Sequence, residues 1–121
     1  MIALIVNFTL KPGMEHEAKR LIGLMEEATH KEPGCRAYIG LQSIENPLEF
    51  CFYEQYDDQA ALDFHWHSPH FSEYVVQGLS ALYATRERTL YTVVSAPTTS
   101  VRTAAEPQTG EVRSNVLEMK R

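Results

Sequence analysis

The sequence predicts an α+β protein with a ferredoxin-like, split β-α-β-β-α-β order and an antiparallel sheet. Four segments have the apolar and β-branched or aromatic content of strands, and apolar residues recur every three or four positions between them, as in helices. With 121 residues, 44% of them hydrophobic, the chain is long enough for one compact core and too short for two ordinary domains. We therefore expect one sheet with helices on one face.

The first two elements are a strand and a helix. Residues 2–10 predict a strand with five apolar side chains on one face: Ile2, Leu4, Val6, Phe8 and Leu10. From residue 14 onward apolar side chains recur at helical spacing, which predicts an amphipathic helix of about four turns. The "EPG" at residues 32–34 ends this helix.

A hairpin follows the helix. Residues 35–43 and 49–56 flank "IENPLE", whose Asn-Pro is a turn signal. With the turn centred near Asn46, Cys35 lies opposite Asp57 and Cys51 opposite Leu41, too far apart for a disulfide. Two free thiols are typical of a cytosolic protein.

The second helical segment is broken. Asp57 or Asp58 is a suitable N-cap for a short helix, and Ser68 followed by Pro69 predicts the start of another that runs to about Ala84. Its inward-facing residues are Phe71, Val75, Leu79 and Leu82. The segment "RTLYTVVS", residues 88–95, predicts the last strand.

The strands are apolar on both faces, so the face without helices needs a cover. A second copy of the chain is the simplest cover, and we expect a homodimer with its sheets packed face to face. Residues 1–95 form the predicted domain, and residues 96–121 form an extension whose composition is typical of disorder. We expect the extension to pack on the partner subunit through four apolar residues: Val112, Val116, Leu117 and Met119.

Charge and hydropathy bear on partners and location. The formal charge is −5 and the eleven Lys and Arg residues are scattered, so we expect no nucleic-acid partner. No apolar run approaches the ~20 residues of a membrane span, so we expect no membrane association. The opening "MIALIVNFTL" has no basic lead-in and predicts a strand, which favours a cytoplasmic protein.

The stretch "HWHSPHF", residues 65–71, concentrates imidazoles. His65 and His67 are two apart, which points them to different sides of a helix, and Pro69 separates His67 from His70. No HExxH pattern or nearby Cys completes a ligand set. The spacing therefore predicts no metal site.

Four segments, in order, resemble the antibiotic biosynthesis monooxygenase family of dimeric ferredoxin-like α+β-barrel proteins: "VNFTLKPG", "EPGCRAYIGLQ", "FCFYEQYDDQAALDFH" and "SPHF". The resemblance covers about residues 1–95. It implies a pocket between the sheet and the helices. Members include cofactor-free monooxygenases of quinols and polycyclic phenols, haem-degrading enzymes and an isomerase of a phosphorylated signalling sugar.

The haem-degrading branch differs at three positions. Its motif has Trp where this chain has His65, and a haem-ligating His where this chain has Val75. Its strand-one Asn aligns with Val6, while Asn7 points to the other face. These departures argue against haem degradation.

The resemblance implies catalytic roles for His65, a base or oxyanion partner, for His70, and for Glu54, which would orient a histidine. Four aromatic residues are candidate walls of the substrate pocket: Trp66, Phe71, Tyr74 and Tyr53. Helical spacing equally allows His65 to be a core histidine, and the aromatics equally suit the core or a dimer interface.

The resulting hypothesis is a cofactor-independent monooxygenase that oxidises a small hydroquinone or polyketide-like phenol with molecular oxygen. One alternative is a non-catalytic small-molecule-binding or stress-response dimer. Another is a signalling-sugar isomerase, which needs cations for a phosphate; the candidates Arg36, Arg86 and Arg88 are not clustered in the sequence.

Overall fold

A computed structural model describes residues 1–95. The elements are β1 (Ile2–Leu10), α1 (Glu15–Thr29), β2 (Cys35–Gln42), β3 (Glu49–Tyr56), α2 (Gln59–Trp66) and β4 (Tyr83–Thr92). A π-helical turn, Phe71–Val76, and a 3₁₀ turn, Leu79–Leu82, connect α2 to β4. The predicted α+β order is confirmed. The expectation for residues 96–121 lies outside the described residues.

The four strands form one sheet in the order β2-β3-β1-β4, with every neighbouring pair antiparallel. The predicted inner face of β1 is confirmed, since Leu4, Val6, Phe8 and Leu10 are buried. They pack in one core with Leu21 of α1 and with residues from both later helical segments. The helices therefore cover one face of the sheet.

The end of the second helical segment was predicted wrongly. A helix to Ala84 and a strand at 88–95 were expected, but helical structure stops at Leu82 and β4 begins at Tyr83. β4 pairs along the whole of β1, from Leu10 opposite Tyr83 to Ile2 opposite Thr92. This pairing gives hydrogen-bond partners to the backbone groups along that edge of β1. The helical spacing of side chains carries no information about such long-range pairing.

The hairpin register differs from the prediction at one end. Cys51 lies opposite Leu41 as expected, but Cys35 lies opposite Tyr56 and not Asp57. The pairing shifts between Cys35 and Ala37, so Arg36 is an extra residue in a bulge. Both thiols are free, as predicted.

The face of the sheet away from the helices carries exposed apolar side chains. Ile39 is 45% exposed, Leu41 50% and Tyr91 51%. The homodimer remains a prediction that these side chains motivate. Among residues 1–95, no helix has the length and apolarity needed to cross a bilayer.

Candidate active site

Two histidines contact one buried carboxylate, that of Glu32. Oε2 of Glu32 lies 2.9 Å from Nδ1 of His65 and 2.6 Å from Nε2 of His70. A carboxylate only accepts hydrogen bonds, so both imidazole nitrogens that face it are donors. His65 is 1% exposed and Glu32 6%, whereas the side chain of His70 is 19% exposed. The cluster therefore extends from the core to the surface.

The local sequence explains how these groups meet. Glu32 lies in the turn that ends α1, where its backbone N–H donates to the carbonyl of Thr29. α2 begins at the predicted cap Asp58, whose side chain accepts from the backbone N–H of Ala61, and His65 lies in its last turn. Ser68 accepts from the N–H of Phe71 and donates to the carbonyl of His65. This break turns the chain so that His70 returns to Glu32.

Glu54 is the second buried carboxylate of the site. The hydroxyl of Tyr56 donates to its Oε1 at 2.7 Å, and Nε2 of His65 lies 3.8 Å from the same oxygen. Burial raises the pKa of Glu54 to about 7, although the hydrogen bond from Tyr56 and the nearby His65 both lower this pKa. Glu54 is therefore a carboxyl group whose proton affinity is well above that of an exposed glutamate.

A small cavity of about 20 Å³ lies between the sheet and the helices. Its walls are mainly apolar and aromatic: Leu4, Val6, Tyr38, Phe52, Trp66, Phe71, Val75 and Tyr83. Glu54 and Arg86 add one carboxyl and one guanidinium group. This volume is about that of one water molecule, so the walls must move to admit an aromatic ligand.

β4 brings two arginines to the cavity side of the sheet. Arg86 and Arg88 lie opposite Phe8 and Val6, whose side chains point toward the helices. The guanidinium of Arg88 stacks over the ring of Trp66 at 4.5 Å. Arg36 lies elsewhere and pairs with Asp57.

Five of the seven residues proposed from the sequence come together here: His65, His70, Glu54, Trp66 and Phe71. Tyr74 instead lines a surface groove beside α1. Tyr53 lies opposite Ile5 on the other face of the sheet, where Gln55 donates to its hydroxyl.

Sequence reasoning missed Glu32 and Tyr56 as site residues and considered Arg86 only as a phosphate-binding cation. Glu32 is part of the quoted "EPG", but nothing in that turn signals that its carboxylate is buried. Tyr56 and Glu54 share the inner face of β3, so strand alternation was the available signal for Tyr56. Arg86 lay in a segment assigned to neither the helix nor the strand.

Two of the three positions that distinguish the haem-degrading branch face the cavity. Val6 and Val75 both line it, and Asn7 is exposed on the opposite face, as its place in β1 predicted. The cavity therefore offers an apolar surface where that branch has an amide and an imidazole.

The fold and cavity agree with a family match. The family model described as "Antibiotic biosynthesis monooxygenase" matches residues 1–77. The chain belongs to this family. Solved structures of the family align with the sheet and helices described above: a crystal structure described as an antibiotic biosynthesis monooxygenase is 29% identical, with a TM-score of 0.73, over 78% of this chain and all of the other.

Two further relatives of this family member have names that assign no established function. The uncharacterized protein sll1783 of Synechocystis is 29% identical over 76% of this chain; the match spans only 63% of that relative's length. Rv0793 of Mycobacterium tuberculosis is 33% identical over 63% of this chain and 74% of its own, and its name carries a provisional monooxygenase assignment. The structure of Rv0793 aligns with a TM-score of 0.72 over 78% of this chain and 96% of that one.

Proposed function

We propose that this chain is a cofactor-independent monooxygenase that oxidises a small hydroquinone or polyketide-like phenol with molecular oxygen. The observation that carries the proposal is the position of Glu54. Within residues 1–95, it is the only carboxylate that lines the cavity between sheet and helices. An ionised phenol is rich enough in electrons to react with oxygen, so the protein needs a proton acceptor in a dry pocket.

In this mechanism Glu54 accepts the proton of the substrate hydroxyl. Tyr56 holds Oε1 of Glu54 by a hydrogen bond, and His65 lies behind the carboxyl group as a positioning residue. The sequence favoured His65 as the base, but it is 1% exposed and is not among the residues that line the cavity. Arg86 supplies the cation that favours a phenolate.

The electrons for the reaction come from the substrate. For an anthrone-type phenol, the ring CH₂ becomes C=O, one oxygen atom forms that bond and the other leaves as water. No flavin or metal is needed to balance this equation. The aromatic walls, with Trp66 and Phe71 among them, exclude water and stack on the ring.

The test is oxygen uptake by chelator-treated protein over hydroquinones, naphthalenediols and anthrones, with autoxidation subtracted. Glu54→Gln should lower kcat/KM by about 100-fold or more, since it removes the general base. Glu49→Gln, an exposed glutamate of the same strand, is the matched control and should behave as wild type. Saturable uptake that survives Glu54→Gln would reject the role of Glu54, and uptake no faster than autoxidation would reject the oxygenase.

Arg86 and Arg88 favour a second candidate, an isomerase of a phosphorylated sugar. They lie two residues apart on the same side of β4, next to the cavity, although the sequence alone did not cluster them. This alternative predicts turnover of a phosphorylated sugar without oxygen uptake, lost in Arg86→Gln. Following the sugar by ³¹P NMR, with and without oxygen, separates the two candidates.

A further inference from the structure

Three side chains of the kinds that bind metal ions lie close together outside the cavity, although they come from separate segments. Glu32, His65 and His70 each offer one ligand atom, and these three atoms lie within 4.8 Å of one another. None of the three residues is among those that line the cavity. We propose that Glu32, His65 and His70 form a binding site for one divalent transition-metal ion.

The donor set matches this class of ion. Two imidazoles and a carboxylate suit zinc, cobalt and their first-row neighbours, and three protein ligands leave a position for water. An ion held at about 2.0–2.1 Å from each donor needs the donors about 3.3 Å apart. The two contacts to Glu32 Oε2 are now 2.9 and 2.6 Å, and all three ligand atoms lie within 4.8 Å of one another, so each donor needs to shift by about 1 Å or less.

An unpartnered oxygen is the second observation. Oε1 of Glu32 is buried, and no group of residues 1–95 gives it a hydrogen bond. A buried carboxylate oxygen without a partner is costly, and such atoms in folded proteins call for a ligand, an ion or a water. An ion beside Oε2 can be bound by either oxygen or by both, which would satisfy this atom.

The surroundings of His65 fit a ligating imidazole. Its other nitrogen, Nε2, faces Oε1 of Glu54 at 3.8 Å. A nitrogen that binds an ion carries no proton, so an ion at Nδ1 moves the proton of His65 to Nε2, where it points at Glu54. A carboxylate behind a ligating histidine is the usual outer partner in metal sites. Occupancy therefore fixes the tautomer that His65 presents to Glu54.

The three residues also provide an entry route. His65 and Glu32 are buried, while the side chain of His70 is 19% exposed and can meet an ion from solvent first. Spacing in the sequence did not predict this set, because it paired His67 with its neighbours. His67 is exposed and bonds to the carbonyl of Asp63.

The test uses the untagged full-length chain, stripped with chelator and then titrated with Co²⁺ by visible spectroscopy and with Zn²⁺ by calorimetry. We expect one ion per chain and cobalt bands typical of a four- or five-coordinate site. His70→Ala and Glu32→Gln should each weaken binding by about 100-fold. His67→Ala, an exposed histidine three residues before His70, should bind as wild type.

Two results would overturn the site. One is no saturable binding of either ion by the wild-type chain, and the other is binding that His70→Ala leaves unchanged. If Glu32→Gln unfolds, as circular dichroism would show, His70→Ala decides alone, because that side chain is partly exposed. The titrations contain no substrate, so their outcome is independent of the proposed monooxygenase reaction.

Discussion

Glu32 and His65 are 33 residues apart in the chain, yet Oε2 of one lies 2.9 Å from Nδ1 of the other in the buried interior. The contact joins the turn after α1 to the last turn of α2. His70 reaches the same oxygen, so one carboxylate holds both histidines. Glu32 therefore links the turn after α1 to α2 and to the segment that follows α2.

Glu32→Gln should therefore destabilise the fold. The amide loses the charge-assisted hydrogen bonds to two imidazoles, and we expect about 1–3 kcal/mol less free energy of unfolding. Urea denaturation followed by circular dichroism measures this difference. Glu27→Gln, on the exposed side of α1, is the control and should change stability by less than about 0.5 kcal/mol. Equal stabilities of the two variants would contradict the structural role of Glu32.

Gly34 and Gly23 should respond to alanine in opposite directions. A Cβ at Gly34 would clash with Cβ of Ala61, so Gly34→Ala should push α2 away and destabilise by about 1–3 kcal/mol. Gly23 lies in the middle of α1 on its exposed side, and a Cβ there meets nothing within 4 Å. Gly23→Ala should therefore stabilise by about 0.5–1 kcal/mol. Thermal unfolding checks both, and a stabilising Gly34→Ala would reject the close packing of α2.

The two thiols should react slowly. Burial raises the pKa of Cys35 from 9.0 to about 11 and also raises that of Cys51. A raised pKa means less thiolate at a given pH, so alkylation of Cys35 at pH 8 should be about 100-fold slower than that of an exposed cysteine. The rate should rise about 10-fold per pH unit up to pH 11. Intact mass after iodoacetamide treatment of Cys51→Ser isolates Cys35, and complete labelling within minutes at pH 8 would contradict the prediction.

Alanine substitutions at Val75 and Val76 should separate the effect of the cavity wall from that of the exposed surface. Val75 lines the cavity, so Val75→Ala should enlarge it and lower KM for naphthalenediols relative to hydroquinone, at a cost of about 1–2 kcal/mol in stability. Val76 is 56% exposed, and Val76→Ala should leave both quantities unchanged. Steady-state oxygen uptake provides the KM values. The same substrate preference in both variants would place the substrate elsewhere.

The apolar outer face of the sheet should mediate dimer formation. Leu41→Glu puts a charge on that face and should increase the dimer dissociation constant about 10-fold or more. Ile44, fully exposed in the hairpin turn, gives the control Ile44→Glu, which should assemble as wild type. Sedimentation velocity over a range of concentrations measures both. A wild-type chain that sediments as a monomer would reject the dimer.

The sequence by itself determined the element order, the inner face of β1 and the hairpin, and it limited the cap of α2 to Asp57 or Asp58. Each of these depends on side-chain periodicity or on turn chemistry within a few residues, and such local preferences survive in the fold. The catalytic roles expected of His65, His70 and Glu54 came from the family resemblance, because helical periodicity alone also allows a core histidine.

Only the tertiary structure decided where β4 begins, that Arg36 forms a bulge, and that Glu32 is the carboxylate shared by two histidines. The start of β4 is set by pairing with β1, about 80 residues earlier in the chain. Glu32 is buried because α2 and the Ser68-Pro69 break pack over the turn that contains it. Contacts between distant segments leave no periodic signal in either segment, because each residue is chosen to fit a neighbour that the local sequence does not contain.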